Sequence, residues 1–294
     1  MTIPSIIHQI APQDKELWHP VWKDCRKSWG RNFSGFEFKF WNYKEDIDSL
    51  VKDHYSQYWG MYQSLPAHIM RIDFARLCML HKYGGIYADM DVFCYRNFYN
   101  LLTGADLFIM EAPYGDIPVE NALMVSVKEN PFFLEVMQAA QNNISQKFPV
   151  LKDNFENLEN RKVIAFEAAG PGLIYEVLKN HQGSYVVLNG DLFNNHGMSY
   201  HPLFFTKHVL TGIWGNEGRQ HLKDCFDKNS KKQQNFKDFM KQVFVEEAIK
   251  YSEDKNITKE NFSFFKDYTN GQFLKRHDVW KTQPLGYDLS NSMN

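Results

Sequence analysis

The order of apolar and polar positions predicts a chain in which strands alternate with helices. Short apolar or alternating runs predict strands at residues 3–10, 36–41, 107–111 and 185–188. Longer segments with helical spacing or helix boundary signals predict helices at residues 20–29, 65–82, 131–142 and 173–179. This alternation favours an α/β protein with an open sheet. In such sheets ligands bind beyond the carboxyl ends of the strands, so the end of the first strand, at Ile10, is a candidate nucleotide site.

The segment from Leu65 to Phe93 carries the most information about function. Its helix is apolar on most faces and should lie deep, and Gly84 with Gly85 provides a stop signal for it. A strand is predicted at residues 86–93, interrupted by two aspartates. A strand that enters directly after a buried helix needs the backbone freedom that glycine provides.

Asp89 and Asp91 are two positions apart, so a strand would place both side chains on one side. Their repulsion is costly unless a cation or a proton lies between them. Mg²⁺ and Mn²⁺ prefer oxygen ligands and complete their shells with water and substrate phosphates. The alternative interpretation is a strand that closes at a polar turn. Apolar neighbours such as Met90 and Val92 instead place the pair at the edge of a core, where unpaired charge is expensive.

Asp73 and Arg76 share one face of the preceding helix. They are either an ordinary ion pair or part of the same site. An arginine near a metal-bound diphosphate offers a planar fork to its oxygens, and a nearby aspartate can accept hydrogen bonds from a ribose or a base.

Composition excludes several classes of protein. A formal net charge of −2, without a basic stripe, argues against nucleic acid as a partner. Four widely spaced cysteines fit a reducing compartment. No export signal and no apolar run of about 18 residues occurs, which predicts a cytoplasmic protein without a transmembrane segment, with peripheral association at the inner membrane face left open.

Several segments in the second half of the chain differ from the rest. Residues 147–161 form a polar, asparagine-rich stretch, and residues 194–218 lack periodicity and predict an ordered loop. From residue 229 the chain is rich in lysine and contains an amphipathic helical pattern. We therefore predict a catalytic domain at residues 1–228 and a C-terminal helical extension at residues 229–294, packed on that domain.

Several motifs together resemble glycosyltransferase family 32, whose members include the yeast initiating α-1,6-mannosyltransferase and, more distantly, the glucosyltransferase domains of clostridial toxins. The central motif is Tyr-Gly-Gly-Ile-Tyr-Ala-Asp-Met-Asp at residues 83–91. The others lie at residues 3–9, 71–76, 119–122, 130–133, 170–172 and 208–214. The resemblance covers residues 3–215. It implies a fold of the GT-A type, a Rossmann-like central mixed sheet flanked by helices that binds a nucleotide sugar.

The resemblance also implies roles for individual residues. Asp89 and Asp91 would hold Mn²⁺ or Mg²⁺, with His208 as a further metal or phosphate contact. Asn121 would lie near the transferred sugar, and Asp89, Asp91 and Asn121 are the predicted catalytic residues. The predicted donor site comprises His8, Gln9, Ile10, Asp73, Arg76, Tyr87, Ala88, Asp89 and Trp214.

Two positions depart from the family pattern. Relatives commonly place a tryptophan beside the base after the first strand, where this chain has Ala11. Relatives often have serine before the late tryptophan, where this chain has Ile213. The first departure concerns base stacking and therefore bears on which nucleotide is bound. The second removes a hydroxyl contact to the phosphate.

The function predicted on this basis is a metal-dependent transfer of a hexose from a nucleotide sugar, with retention of anomeric configuration. A UDP-sugar is favoured over GDP-mannose, and the acceptor is a glycan, a lipid-linked glycan or a protein, as in polysaccharide biosynthesis. Two alternatives stay open. One is a metal-dependent nucleotidyl- or phosphotransferase, and the other is a carbohydrate-binding protein without catalytic activity.

Overall fold

The computed structural model describes most of the N-terminal two thirds of the chain. The described residues are 2–42, 44–112, 119–146, 165–194, 205–208 and the backbone of 274–276. Trp214, residues 147–161 and nearly all of the predicted helical extension lie outside these ranges.

A mixed seven-stranded sheet forms the centre of the described part. Its strands, in spatial order, are β2 (Glu37–Asn42), β1 (Ile6–Ala11), β3 (Gly85–Ala88), β6 (Val119–Ser126), β5 (Leu107–Glu111), β7 (Tyr185–Leu188) and β9 (Leu274–Arg276). The β1 strand is parallel to β2 and β3, and β5 is parallel to β7. The pairs β3 with β6, β5 with β6, and β7 with β9 are antiparallel. Strands β4 (Val92–Cys94) and β8 (Thr206–His208) form a separate two-stranded antiparallel sheet.

Helices cover both faces of the large sheet. They are α1 (Pro20–Asn32), α2 (Glu45–His54), α3 (Trp59–Ser64), α4 (His68–Tyr83), α5 (Pro131–Gln146), α6 (Pro171–Leu178) and α7 (Gly190–Phe193). This arrangement confirms the predicted α/β class and the central mixed sheet flanked by helices. Among the described helices, none combines the length and the apolar character that crossing a bilayer requires.

Neighbouring residues of the central strands enter different cores. Tyr87, Ile109 and Val187 pack with α4, α5 and α6 on one side of the sheet. The residues immediately before them, Ile86, Phe108 and Val186, pack on the other side with aromatic residues that include Trp29, Phe33 and Phe98. Because successive strand side chains point to opposite faces, strands buried on both sides are apolar at nearly every position. This explains why the sequence shows continuous apolar runs here.

The double glycine joins α4 to β3, as predicted. Gly84 and Gly85 have φ angles of 64° and 93°, a region that glycine adopts readily. A Cβ atom at Gly85 would lie 2.5 Å from the backbone oxygen of Ile6, and one at Gly84 would lie 2.6 Å from the backbone nitrogen of Lys128. The backbone therefore passes through a space that admits no side chain at either position.

The C-terminal segments differ from their predictions. Thr206–His208 forms strand β8, so the loop predicted at residues 194–218 is wrong for these residues. The described piece of the extension, Leu274–Arg276, is a strand at the edge of the large sheet rather than a helix. Both strands form by pairing with distant parts of the chain, which local periodicity does not reveal. The helical character of the rest of residues 229–294 stays a prediction.

His8 connects β1, β2 and the glycine turn. Its ring is fully buried, with Nε2 lying 2.9 Å from the backbone oxygen of Gly84, and Trp41 Nε1 donates to its Nδ1 at 3.1 Å. This pattern requires a neutral ring with its proton on Nε2. Burial lowers the pKa of His8 to about 4, and the nearby positive charge of Lys39 acts in the same direction.

We expect Gly85→Ala to destabilise the fold, because alanine would take up a φ of 93° and contact the backbone of Ile6. Backbone strain alone should lower the free energy of unfolding by about 1–3 kcal/mol. Urea denaturation measures this. Gly30→Ala is the control, because Gly30 lies in α1 with open space around its Cα, and alanine favours a helix by up to about 1 kcal/mol. Equal effects of the two substitutions would contradict the account of the turn.

We expect acid to weaken the fold through His8. An unfolded histidine binds its proton near pH 6.5, whereas folded His8 does so only near pH 4. Its neutral form therefore stabilises the fold fully above pH 6.5, and this contribution is lost as the pH falls towards 4, by up to about 3 kcal/mol. His8→Gln should flatten the dependence of unfolding free energy on pH, and the exposed substitution His54→Gln should leave it unchanged. Parallel curves for all three proteins would exclude this role.

Candidate active site

Asp89 and Asp91 lie in a tight turn between β3 and β4. The Val92 amide donates to the Asp89 carbonyl at 3.0 Å, and the Asp89 amide donates to the Ala122 carbonyl at 2.8 Å. The prediction that the aspartates belong to one interrupted strand is therefore wrong, because β3 and β4 are separate strands in different sheets. The turn, not the strand period, brings the two carboxylates together. Asp91 is buried, while the Asp89 side chain is 25% exposed.

His208 reaches this turn through the small sheet. Strand β8 pairs with β4 so that His208 lies opposite Val92, next to the turn. Its Nε2 atom is 3.3 Å from Oδ1 of Asp91. Ligand atoms of Asp89, Asp91 and His208 all lie within 4.8 Å of one another. The structure therefore brings together the three residues that were predicted as metal ligands.

The donor set of this triad fits a divalent cation. Carboxylates suit Mg²⁺ and Mn²⁺, and an imidazole suits first-row transition metals, so the three side chains could hold a divalent cation. Burial raises the pKa of the Asp89 carboxyl; Arg76 opposes this change, and the neighbouring charge of Asp91 adds to it. A cation between the carboxylates would relieve this repulsion. Three protein ligands would leave positions for water and for substrate oxygens.

Glu120 and Asn194 belong to the site, although the sequence did not single out either as a functional residue. Oε1 of Glu120 is 2.6 Å from Nδ1 of His208, and the Asn194 amide donates to the other carboxylate oxygen of Glu120. Burial by itself lowers the pKa of His208, but Glu120 and Asp91 together raise it well above its ordinary value. The sequence motif at residues 119–122 contains Glu120, but the family resemblance assigns a role there only to Asn121.

An irregularity in β6 places Glu120 and its neighbour at the site. Glu120 pairs with Met110 of β5, whereas the next paired residue, Met124, is opposite Ile109. Residues 121–123 therefore have no partner on β5. Bulges of this kind redirect side chains and free backbone groups, and they are common beside functional sites. On the β3 side, the carbonyl of Ala122 accepts the hydrogen bond from the amide of Asp89.

Arg76 lies behind the turn and is 98% buried. Its Nη2 atom is 3.1 Å from Oδ1 of Asp73 and 3.4 Å from Oδ1 of Asp89, and its Nη1 donates to the carbonyl of Asn121 at 2.8 Å. The guanidinium also lies 4.7 Å from the centre of the Tyr87 ring. These contacts bind α4, β3 and β6 together beneath the acidic turn.

Asp73, Asn121 and Tyr87, three of the predicted site residues, also belong to the network around Arg76 and Asp89. The Asn121 side-chain amide donates to Asp73 at 3.0 Å, and the Tyr87 hydroxyl donates to Oδ1 of Asp89 at 2.5 Å. Burial raises the pKa of Asp73 to about 6, although Arg76 acts in the opposite direction. The contacts of Asp73, Arg76, Asn121 and Tyr87 are with protein groups. Their roles towards a donor stay predictions.

The β1 residues predicted for the donor site have different environments. The ring nitrogens of His8 already contact Gly84 and Trp41, as described above, and Ile10 packs in the core. Gln9 accepts a hydrogen bond from Arg26 at 3.3 Å, and its buried Nε2 has no hydrogen-bond partner among the described residues. Gln9 is thus the member of this group with a free donor. Ala88 is buried in β3, and Trp214 lies outside the described residues.

The chain matches a known family over the segment that contains α4 and the turn. Residues 20–108 match the glycosyltransferase sugar-binding region containing a DXD motif. In this chain the motif is the sequence from Asp89 to Asp91. The matched segment also contains Asp73 and Arg76 and ends before Glu120.

Curated relatives match about half of the chain. Inositol phosphoceramide mannosyltransferase 1 of Schizosaccharomyces pombe (strain 972 / ATCC 24843) is 28% identical over 137 residues, which are 46% of this chain and 42% of the relative. Inositol phosphoceramide mannosyltransferase 3 of the same organism is 32% identical over 138 residues, 46% of this chain and 36% of the relative. The chain thus spans about two fifths of the length of these relatives.

A solved structure, PaToxG glycosyltransferase, is 16% identical, with a TM-score of 0.40 over 60% of this chain and 69% of its own. The family match includes both aspartates of the acidic turn, and in the structure they lie with a histidine in a group of side chains that could hold a metal ion. The segment at residues 20–108 thus resembles the glycosyltransferase sugar-binding region that contains the DXD motif.

Proposed function

We propose that this protein is a metal-dependent glycosyltransferase that moves a hexose from a nucleotide sugar to an acceptor with retention of anomeric configuration. The observation that carries the proposal is the triad of Asp89, Asp91 and His208, whose ligand atoms lie within 4.8 Å of one another. Two members of the triad form the motif of the matched family, and the third comes from a separate strand.

Transfer of a sugar from a diphosphate develops negative charge on the leaving oxygen. A divalent cation in the triad would supply Lewis-acid stabilisation of that charge. The protein's part is to hold Asp89, Asp91 and His208 in place while keeping the remaining space free for the donor. Because Asp91 and His208 are buried, they change position little, and this preorganisation reduces the cost of binding.

The network behind the turn fixes Asp89, the most exposed member of the triad. Arg76 and Tyr87 both approach its Oδ1 atom, which leaves Oδ2 as the oxygen free of these contacts. A positive guanidinium in a buried position also opposes the rise in the pKa of this carboxyl that burial causes. The network therefore supports the ionised, oriented carboxylate that a cation requires.

The donor would extend from the triad across the carboxyl end of β1. The buried Nε2 of Gln9 has no partner within the part of the chain that the structure describes, so it would offer a hydrogen bond to a ligand. Asn121 would lie near the transferred sugar. Trp214, which the family resemblance places near the diphosphate, would help to exclude water, the competing acceptor.

The names of the two curated relatives suggest which sugar and which acceptor to test first. Their names describe mannosyl transfer to inositol phosphoceramide. On this basis we propose mannose as the first hexose to test and a lipid-linked acceptor before a protein. GDP-mannose therefore belongs beside UDP-sugars among the donors.

We expect Asp91→Asn to abolish metal binding and sugar transfer while the protein still folds. The amide is a weaker ligand, and its loss of charge also removes repulsion from Asp89, so unfolding free energy should change little. Activity should fall on the order of a thousandfold, as expected when several kcal/mol of charge stabilisation are lost. Electron paramagnetic resonance of Mn²⁺ and a transfer assay measure the two effects. The exposed Asp53→Asn is the control, and retained Mn²⁺ binding by Asp91→Asn would refute the metal site.

We expect a donor panel of UDP-glucose, UDP-galactose and GDP-mannose to identify one nucleotide sugar that is consumed with Mn²⁺ and not with EDTA. The products should be the nucleoside diphosphate and a glycoside with the anomeric configuration of the donor, which NMR reads directly. Transfer of phosphate to the acceptor would favour a phosphotransferase. Binding without turnover would favour a carbohydrate-binding protein, and an inverted product would refute retention.

A further inference from the structure

We propose that Glu120 is a positioning residue that fixes the tautomer and orientation of His208, so that Nε2 of the imidazole faces the cation, and that Asn194 holds Glu120 in place. The inference rests on the proposed metal-dependent function and assigns a role to two residues outside the matched segment. Glu120 and Asn194 would orient the proposed third ligand, His208, without binding the cation themselves.

The two nitrogens of His208 face different carboxylates. Nε2 is 3.3 Å from Asp91, and Nδ1 is 2.6 Å from Glu120. A histidine binds a metal through a nitrogen without a proton, so the single proton of the neutral ring must be on the other nitrogen. An ionised carboxylate beside Nδ1 can only accept a hydrogen bond. In the neutral ring, Glu120 therefore keeps the proton on Nδ1. Nε2, on the side of Asp91, then carries no proton and can bind a cation.

Glu120 contacts the Nδ1 side of the His208 ring, whereas the proposed cation would bind on the Nε2 side. Since the two ring nitrogens point in different directions, the carboxylate at Nδ1 lies away from Nε2 and from the cation site. Among the described residues, the set of ligand atoms that lie within 4.8 Å of one another contains Asp89, Asp91 and His208 but not Glu120. Carboxylates that contact the second nitrogen of a metal-binding histidine commonly orient it.

Asn194 anchors the carboxylate of Glu120. The side-chain amide of Asn194 donates to Glu120 Oε2 and, at 3.0 Å, to the carbonyl of Glu111. The Glu111 carboxylate in turn accepts from the amide of Gly190, the first residue of α7, at 2.9 Å. These hydrogen bonds connect both ends of α7 to Glu111 of β5. They hold Asn194, which follows α7, where its side chain reaches Glu120.

The bulge in β6 allows the side chain of Glu120 to lie next to His208. Val119 and Glu120 keep their pairing with β5, and the three following residues have no β5 partner. The shift in register lets Glu120 approach β8 while Asn121 approaches α4. One irregularity thus directs adjacent side chains to the histidine and to the support of Asp89.

Mn²⁺ binding to the full chain tests the proposal without any need for turnover. We expect Glu120→Ala to weaken Mn²⁺ binding about 10- to 100-fold, as found for residues that orient metal-binding histidines. Glu120→Gln should bind with intermediate affinity, because its amide oxygen still accepts from Nδ1. Glu120→Ala should also lose the ¹⁴N hyperfine coupling that a Mn²⁺-bound imidazole gives in pulsed electron paramagnetic resonance.

A double variant separates positioning from direct ligation. If Glu120 acts through His208, then His208→Ala with Glu120→Ala should bind Mn²⁺ no more weakly than His208→Ala alone. An additive loss would show that Glu120 binds the metal directly and would overturn the proposal. Mn²⁺ binding by Glu120→Ala and Glu120→Gln at the affinity of the parent protein would also overturn it. If Glu120→Ala does not fold, the comparison is made with Glu120→Gln.

Glu135→Ala is the matched control, because Glu135 makes the same kind of contact with another histidine. Its Oε2 is 2.8 Å from Nδ1 of His181, and neither residue belongs to the site. It should bind Mn²⁺ like the parent. If the parent binds Mn²⁺ through His208 but transfers no sugar, the proposed function fails and the positioning role stands. If His208→Ala binds Mn²⁺ as the parent does, the positioning role fails, and transfer through the two aspartates can still hold.

Discussion

The site depends on the repulsion among four carboxylates that converge near one turn. Asp73 and Asp89 share the guanidinium of Arg76, and Asp91 and Glu120 share the imidazole of His208. Even with the imidazole protonated, four negative charges face only two positive ones. In a buried environment such an imbalance is costly, and it is relieved by protonation or by a bound cation. Burial is the main cause of the raised pKa values of Asp73 and Asp89, and the charge of a neighbouring carboxylate adds to each of them.

Parts of the chain that are far apart in sequence bring these charges together. Helix α4 supplies the buried guanidinium, the turn after β3 supplies two carboxylates, β6 supplies Glu120, and β8 supplies the histidine. The glycine turn fixes where β3 begins relative to α4, and the β6 bulge leaves Asn121, whose backbone carbonyl accepts from Arg76, without a partner on β5. A rigid sheet therefore carries the site, while the ligand atoms lie on a turn and on strand ends, as is common for catalytic groups.

The site divides into two halves. One half, with Arg76 and the two aspartates, lies within the segment matched by the family of the DXD-containing sugar-binding region. The other half, with Glu120, Asn194 and His208, lies beyond residue 108. The first half supplies the carboxylates and their supporting charge. The second half contains His208, the proposed nitrogen ligand, and the side chains that contact it. It lies outside the segment that the family match covers.

The sequence by itself determined the α/β class, the deep helix α4, the glycine turn and the aspartate pair, because each depends on local periodicity or on a short motif. Its family resemblance also pointed to His208. Only the tertiary structure decided that the aspartates lie in a turn, that Thr206–His208 is a strand, and that Glu120 contacts His208. These features arise from pairing between segments more than 80 residues apart and from a shift of register in β6. Local patterns carry no record of such pairing, because hydrogen bonds between distant strands leave the spacing of apolar residues unchanged.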